Sequence, residues 1–328
     1  PADALLDALA GVASPDEALV ALTRIASAVV GTAHEDLVRE AATRPGPVRD
    51  RLLAVLGGST ALGDHLVRHP EDVAALADDD PLGTPDTVVR AELLRAVGGE
   101  HRAGGGAEEA QPEGELARGR GSGEAHGGIS CDVPDDAEVP VATLTGTAGV
   151  DAMRRAYRRR LMMVAGADLV GTEPLSLLPG VAAALADLAS AALEAALALA
   201  RAEHPDHAAA RLAVMGLGKT GGRELNYVSD VDVIHVVEPA EGHEEAEAVV
   251  VGARLATALA RACSVASTEP ALWPVDAALR PEGKQGPLVR TVASHRAYYE
   301  RWAKTWEFQA LLKARHVAGD VEVAQQYL

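Results

Sequence analysis

The sequence predicts an α+β fold in which a helical N-terminal region precedes a small mixed β-sheet with flanking helices. Apolar residues recur at helical spacing over much of the chain up to about residue 208. Two short β-branched runs follow, RLAVMGLG at 211–218 and DVDVIHVV at 230–237, and LWPVDAALR at 272–280 is a weaker third strand candidate. A helix predicted at about 244–263 separates the second run from the third. Helices followed by a short αβ unit are typical of the α+β class.

Composition and turn signals divide the chain into successive segments. The N-terminal part contains several short helices, and Ser14-Pro15-Asp16-Glu17 is typical of a helix start with an acidic first turn. A Gly/Glu-rich stretch follows, and it is predicted to be a disordered insertion because it has few large apolar side chains to bury. The predicted segments are an N-terminal helical region at 1–97, this insertion at 98–140, a helical lead-in at 141–208, a sheet domain at 209–293 and a C-terminal helical segment at 294–328.

One apolar run, residues 181–200, is about long enough to cross a bilayer. Asp187, Glu194 and Arg201 recur at seven-residue spacing and therefore share one helical face. Most of the other residues are Ala, which favours helix but is only weakly apolar. We therefore predict a packed helix with a narrow polar stripe, and no membrane partner.

The overall charge argues against a protein that coats nucleic acid. Among 328 residues, 30 Lys+Arg face 48 Asp+Glu, which gives a formal net charge of −18, whereas phosphate neutralisation requires a basic surface. Two cysteines, Cys131 and Cys263, cannot build a disulfide framework, which favours a reducing, cytoplasmic location. The chain begins without Met or a signal peptide and stops after a helical stretch, so we interpret it as a fragment of a longer protein.

Two familiar phosphate-binding motifs are superficially present in GLGKTG at 216–221. The G-x-G-x-x-G spacing matches a dinucleotide-binding turn, but the glycine-rich connection to the next strand is too short for a parallel crossover helix. The P-loop pattern G-x-x-x-x-G-K-[ST] requires a glycine at position 213, which is Ala213 here. Neither motif is favoured.

Two carboxylates begin the second strand candidate. Asp230 and Asp232 are two residues apart, so in a strand they point to the same face. Like charges this close repel unless a cation lies between them, and hard oxygen ligands suit Mg²⁺ or Mn²⁺. Asp276 lies on the third strand candidate. Three Asp on adjacent strands beside a glycine-rich loop predict a two-metal phosphoryl or nucleotidyl transfer site.

Three segments in order carry a family resemblance: GLGKTGGRELNYVSDVDVIHV, PVDAALRPEGKQGPLVRT and YYERWAKTWEFQALLKARHVAGD. Over about residues 150–320 the chain resembles the bacterial bifunctional glutamine synthetase adenylyltransferase/adenylyl-removing enzymes. The resemblance implies a nucleotidyltransferase-like, DNA polymerase β-like catalytic domain at 209–293. It also implies Mg²⁺, the nucleotides ADP or ATP, inorganic phosphate, glutamine synthetase as the protein partner and a PII-type signalling protein as a further candidate partner.

The resemblance also assigns roles to residues. Asp230, Asp232 and Asp276 match the metal-binding, catalytic carboxylates. It matches Gly216, Gly218, Gly221 and Gly222 to the nucleotide-binding loop and Ser229 to the hydroxyl before the Asp pair. Lys219 and Arg280 are predicted to bind phosphate because they add positive charge near the site, and Arg280 lies four residues after Asp276. The sequence RELNYVSDVDV favours the adenylyl-removing half of these enzymes, which removes AMP from a tyrosine by phosphorolysis. ATP-dependent adenylylation and a non-catalytic nucleotide-sensing module stay open as alternatives.

Residues around the motifs carry further expectations. Trp302, Trp306 and Phe308 are predicted to be core residues rather than base-stacking platforms. His235 occupies a position at which the family it resembles more often has an aromatic residue. We interpret it as a packing variant that points away from the strand face carrying Asp230 and Asp232. Other positions that match the family pattern or add positive charge near the site are Arg223, Lys284, Arg290, Glu307, Lys313 and Arg315.

Overall fold

Short helices build the N-terminal region in the computed structural model, which describes residues 2–99 and 139–328. Most of the predicted insertion, together with Cys131, lies outside the described residues. Helix α2 begins at Pro15, directly after Ser14, as the turn signal predicts. The helices are α1 (Ala2–Ala10), α2 (Pro15–Val29), α3 (Glu35–Thr43), α4 (Pro47–Gly58), α5 (Thr60–Arg68) and α6 (Asp86–Ala96), with a 3₁₀ run at Pro70–Ala77.

Two long helices connect this region to the sheet, α7 (Gly146–Leu169) and α8 (Pro174–Glu203). Helix α7 contributes to two hydrophobic cores. Met162 is buried in the core formed by α2–α5, whereas Met153 is buried in the core around α8 and the sheet. We call these the N-terminal core and the sheet core. In the described part of the chain, α8 is the helix long and apolar enough for a membrane span, and 83% of its apolar window is buried, which is typical of a core helix.

The polar stripe of α8 is buried and paired. Asp187 accepts a hydrogen bond from Arg223 Nε at 3.1 Å. Glu194 accepts from Arg90 at 2.6 Å and from the backbone N–H of Gly319 at 3.0 Å. Because buried charges require partners, this stripe fixes how α8 docks against the sheet.

The sheet contains β1 (Ala210–Gly216), β2 (Val231–Pro239), β3 (Val275–Asp276), β4 (Val289–Arg290) and β5 (Arg315–Gly319). Strand β1 lies between β2 and β5 and is antiparallel to both. The other edge of β2 pairs in parallel with β3 and then with β4. Helix α10 (Glu245–Ser264) supplies the crossover from β2 to β3 that parallel pairing requires. The described chain is therefore an α+β structure, mostly helical with a small mixed sheet.

The segment at 294–328 differs from its helical prediction. It contains α11 (Val292–Arg301), α12 (Thr305–Leu311) and α13 (Val321–Tyr327), but β5 lies between the last two and extends the sheet beyond position 293. This strand of five residues obtains its hydrogen bonds from β1, about a hundred positions earlier, so no local pattern reveals it.

The predicted core role of the aromatic residues near α12 is wrong. Trp302, Trp306 and Phe308 are 73%, 51% and 47% exposed. The helical run breaks at Trp302, so these residues do not form one apolar face of a long helix. Glu307 is buried instead. Its carboxylate accepts from the backbone N–H of Lys304 at 2.7 Å and from the Tyr298 hydroxyl at 2.8 Å.

His235 on β2 is buried, as expected of a packing residue, and neither ring nitrogen has a hydrogen-bond partner among the described residues. Burial, with a contribution from the positive charge of Arg280, lowers the pKa of His235 to about 4. The unfolded chain therefore binds a proton at His235 near pH 6.5, whereas the folded chain binds it only near pH 4. The free energy of unfolding consequently falls as the pH decreases from about 6.5 to about 4.

We therefore expect His235→Phe to flatten the pH dependence of stability. Between pH 7.5 and pH 5 the variant should lose about 2 kcal/mol less free energy of unfolding than the wild type. Urea unfolding at the two pH values measures this difference. An unchanged loss in the variant would show that His235 is not a source of the acid sensitivity.

Candidate metal centre

The sheet brings the three predicted carboxylates together. In the parallel register of β2 and β3, Asp232 is the direct partner of Asp276, and Asp230 immediately precedes β2. One carboxylate oxygen from each residue lies within 4.8 Å of the others. Asp232 and Asp276 are half-buried and Asp230 is exposed, so the cluster lies at the surface of the sheet edge. The predicted convergence on one sheet face is present in the structure.

The electrostatics of this cluster suit a divalent cation. Burial raises the pKa of Asp232, and the negative charges of Asp230 and Asp276 raise it further, against the opposing effect of Lys219. Three oxygen donors that repel one another form the ligand set that Mg²⁺ or Mn²⁺ prefers. The residues therefore fit a hard divalent cation.

The glycine loop lies directly against Asp232. Strand β1 ends at Gly216, and α9 (Gly218–Gly221) is a single helical turn that follows it. The backbone N–H of Leu217 donates to the carbonyl oxygen of Asp232 at 2.9 Å. Because β1 and β2 are antiparallel, the parallel βαβ crossover of a dinucleotide-binding turn is excluded for this loop.

A second set of contacts fixes the far side of the loop. Arg315 on β5 donates to the carbonyl oxygens of Gly221 at 3.3 Å and Thr220 at 3.0 Å, and to the Ser190 hydroxyl on α8 at 3.2 Å. A Cβ atom at Gly221 would lie 1.9 Å from the carbonyl oxygen of Lys313, so the loop and the start of β5 are in very close contact. Arg315 therefore positions the glycine loop. It lies more than ninety positions after the loop, so the sequence alone does not indicate this role.

The remaining predicted site residues have different surroundings. Arg280 donates to the backbone carbonyl oxygens of Ala277, Gly286 and Pro287 at 2.7–3.2 Å and so closes the loop between β3 and β4. Its phosphate-binding role stays a prediction. Gly222 follows α9, and Ser229 is half-buried just before Asp230. Three further cations predicted near the site contact carboxylates in the structure, Arg223 with Asp187, Arg290 with Glu282 and Lys313 with Glu224.

Gly218 is the loop glycine whose added side chain would approach the Asp232 carboxylate. Its φ is +52°, a region that L-residues disfavour, and an added Cβ would lie 2.9 Å from Asp232 Oδ2. We expect Gly218→Ala to cost about 1–2 kcal/mol of stability from the backbone and also to displace the Asp232 carboxylate. Gly146→Ala is the matched control, because Gly146 has φ +57° and no atom within 4 Å of an added Cβ.

The two variants separate the two effects. Thermal unfolding should show similar losses for both, whereas divalent-metal binding at the carboxylates, measured by calorimetry, should weaken only in Gly218→Ala. Equal metal affinity in the two variants would contradict a contact between the loop and Asp232.

Sequence comparisons place these residues in a family context. The profile of the glutamate-ammonia ligase adenylyltransferase family matches residues 137–328. A bifunctional glutamine synthetase adenylyltransferase/adenylyl-removing enzyme of Streptomyces avermitilis is 46% identical over 326 residues, covering 99% of this chain and 27% of that protein. The proteins of the same name from Cutibacterium acnes and Mycobacterium avium are 43% and 42% identical, over 89% and 99% of this chain and again 27% of their own lengths. The chain thus spans about a quarter of these relatives.

Proposed function

The chain belongs to the glutamate-ammonia ligase adenylyltransferase family, and on that basis we propose that its sheet is a metal-dependent nucleotidyl-transfer centre acting on glutamine synthetase. The observation that carries the proposal is the convergence of Asp230, Asp232 and Asp276 beside the glycine loop. We assign the catalytic domain to residues from 209 onward, with a nucleotidyltransferase-like arrangement to which β5 also contributes.

The reaction we propose is removal of AMP from an adenylylated tyrosine. An oxygen of inorganic phosphate forms a bond to the α-phosphorus, the bond from phosphorus to the tyrosine oxygen breaks, and its electron pair stays on the tyrosine. The products are ADP and the unmodified side chain. Because a tyrosinate has a reference pKa of about 10, it leaves with little need for a general acid.

Different residues would perform different parts of this reaction. Asp230, Asp232 and Asp276 would hold Mg²⁺, and the chemistry that Mg²⁺ supplies in such sites is neutralisation of charge on the transferred phosphoryl group. The backbone of the glycine loop would bind further phosphate oxygens through its N–H groups, with Lys219 adding positive charge next to Asp232. The same residues could serve adenylylation from ATP, so the direction of reaction rests on the motif resemblance.

The surroundings of Asp230 favour a protein substrate. Asp230 is exposed, and the neighbouring Val228 is 90% exposed. Val228 and Tyr227 also line a cavity of about 790 Å³ between the N-terminal helices and the sheet domain. A tyrosine presented on a protein surface can therefore approach from this side. We further propose a cytoplasmic setting and control by a PII-type signalling protein, as the family resemblance implies.

A direct assay tests the proposal. The purified chain is incubated with adenylylated glutamine synthetase, inorganic phosphate and Mg²⁺, and ADP is quantified by chromatography while the tyrosine peptide is followed by mass spectrometry. We expect ADP to form at the rate at which AMP leaves the peptide, and only when phosphate is present. Adenylylation of unmodified glutamine synthetase from ATP would reverse the assignment, and no turnover in either direction would favour the non-catalytic, nucleotide-sensing alternative.

A further inference from the structure

A second group of metal-ligating side chains lies at the junction between the N-terminal core and the sheet core. His65 is on α5, His69 follows the end of α5, and Glu269 lies in the loop after α10. One ligand atom from each of these residues lies within 4.8 Å of the others. Ligands around a tetrahedral zinc ion lie about 3.4 Å apart, so small side-chain rotations would close the site. We propose that His65, His69 and Glu269 bind Zn²⁺.

The contacts of the two ring nitrogens of His65 support this proposal. His65 is completely buried, and its Nε2 lies 3.0 Å from Asp72 Oδ2. With Nε2 in contact with this carboxylate, Nδ1 is the ring nitrogen left to bind a metal. That atom is buried without a hydrogen-bond partner among the described residues. A histidine held by a carboxylate on one nitrogen and open on the other is the usual arrangement of a zinc ligand.

His69 and Glu269 have matching arrangements. Glu269 Oε1 lies 2.6 Å from His69 Nε2, while Glu269 Oε2 lies 3.2 Å from Arg68 Nη1. Binding of Zn²⁺ would replace the contact between His69 and Oε1, and Arg68 would stay in contact with the other oxygen and hold the carboxylate in place. The second nitrogen of His69 is 3.9 Å from a carboxylate oxygen of Glu71, a distance within ion-pair range but beyond that of a hydrogen bond.

The chemical types of the ligand atoms favour Zn²⁺ over Mg²⁺. Two imidazoles and one carboxylate form a typical three-residue Zn²⁺ ligand set, whereas Mg²⁺ avoids nitrogen ligands. The histidines are four positions apart at the end of one helix, a spacing that places both on one face. Because Glu269 comes from the loop that leads into β3, a bound ion would fasten the N-terminal helices to the segment that carries Asp276.

Zinc binding to the purified chain tests this inference. After removal of metals with a chelator, Zn²⁺ is titrated calorimetrically in excess Mg²⁺, which occupies the carboxylate cluster. The wild-type chain should bind one Zn²⁺, and at 100 times the dissociation constant the ion should raise the unfolding temperature by about 2–4 °C. Co²⁺ in place of Zn²⁺ should give the absorption bands of a tetrahedral site with nitrogen ligands.

Variants distinguish the two metal-binding clusters. His69→Gln and Glu269→Gln should weaken Zn²⁺ binding at least about 10-fold, while Asp232→Asn should leave it unchanged. His243→Gln is the matched control, since His243 is exposed and its ion pair among the described residues is with nearby Glu247. Each variant is compared with its own metal-free form, so a loss of intrinsic stability does not affect the result. Zn²⁺ binding that persists in His69→Gln but disappears in Asp232→Asn would overturn the proposal, and so would an absence of binding to the wild type.

Discussion

Replacing Asp232 with Asn is expected to reduce ADP formation by about 100- to 1,000-fold or more. Asp232 is the central carboxylate, paired in register with Asp276 and in contact range of Asp230, so its loss removes the shared ligand of the cluster. Deleting a single preorganised electrostatic group at a reacting centre typically has an effect of this size. The measurement is the phosphorolysis assay at saturating Mg²⁺.

The same substitution should not destabilise the fold. The pKa of Asp232 is raised by burial and by its two carboxylate neighbours, so in the metal-free chain the negative charge is unfavourable where it lies. We expect Asp232→Asn to unfold at the same urea concentration as the wild type or a slightly higher one. Asp79→Asn, at an exposed position in the N-terminal region, is the control and should retain full activity. ADP formation that persists in Asp232→Asn would refute the metal assignment.

Replacing Arg154 with Met is expected to lower the free energy of unfolding by about 3–5 kcal/mol. Arg154 on α7 is completely buried, and its guanidinium donates to the carbonyl oxygens of Ala262, Val265 and Glu269 at 2.6–3.1 Å. Met can replace the aliphatic part of the arginine side chain but has no donors, so it would leave these carbonyl groups buried without partners. The charge itself is unfavourable in this position, because burial lowers the pKa of Arg154.

Arg159→Met on the same helix is the matched control. Arg159 is partly exposed, and its ion pairs within the described part of the chain are long, 3.8 Å to Asp72 and 3.9 Å to Glu92. Its replacement should change the free energy of unfolding by less than about 1 kcal/mol. Urea unfolding of both variants gives the comparison, and hydrogen exchange should show faster exchange around residues 262–269 in Arg154→Met alone. Similar stability losses in the two variants would mean that the buried carbonyl contacts are not what Arg154 contributes.

Local patterns predicted the helices and the two long strands well. Apolar spacing and the turn signal at Ser14 placed α2, and short apolar runs placed β1 and β2. The patterns failed where pairing is distant. Strand β5 is defined by hydrogen bonds to β1, and α12 exposes Trp306 because the helix before it ends at Trp302. A short segment carries too little periodicity to reveal either arrangement.

In the candidate site, too, short-range spacing predicts some features and tertiary contacts determine the others. The spacing of Asp230 and Asp232 predicts two carboxylates on one strand face, and the order of elements predicts Asp276 on a neighbouring strand. The contacts of Arg280 with backbone carbonyls, and those of Arg315 with the glycine loop, depend on how distant segments meet. No sequence signal near either residue distinguishes a positioning role from a phosphate-binding one.

Residue types and short-range spacing were sufficient to predict the class of the fold, the family, and the carboxylates and glycines of the candidate centre. The register that makes Asp232 the partner of Asp276, and the contacts through which Arg315 holds the glycine loop, arise only from tertiary packing. The same packing brings His65 and His69 to Glu269 across about two hundred positions. Contacts of this kind depend on the packing of whole helices and strands, and short-range spacing does not encode that packing.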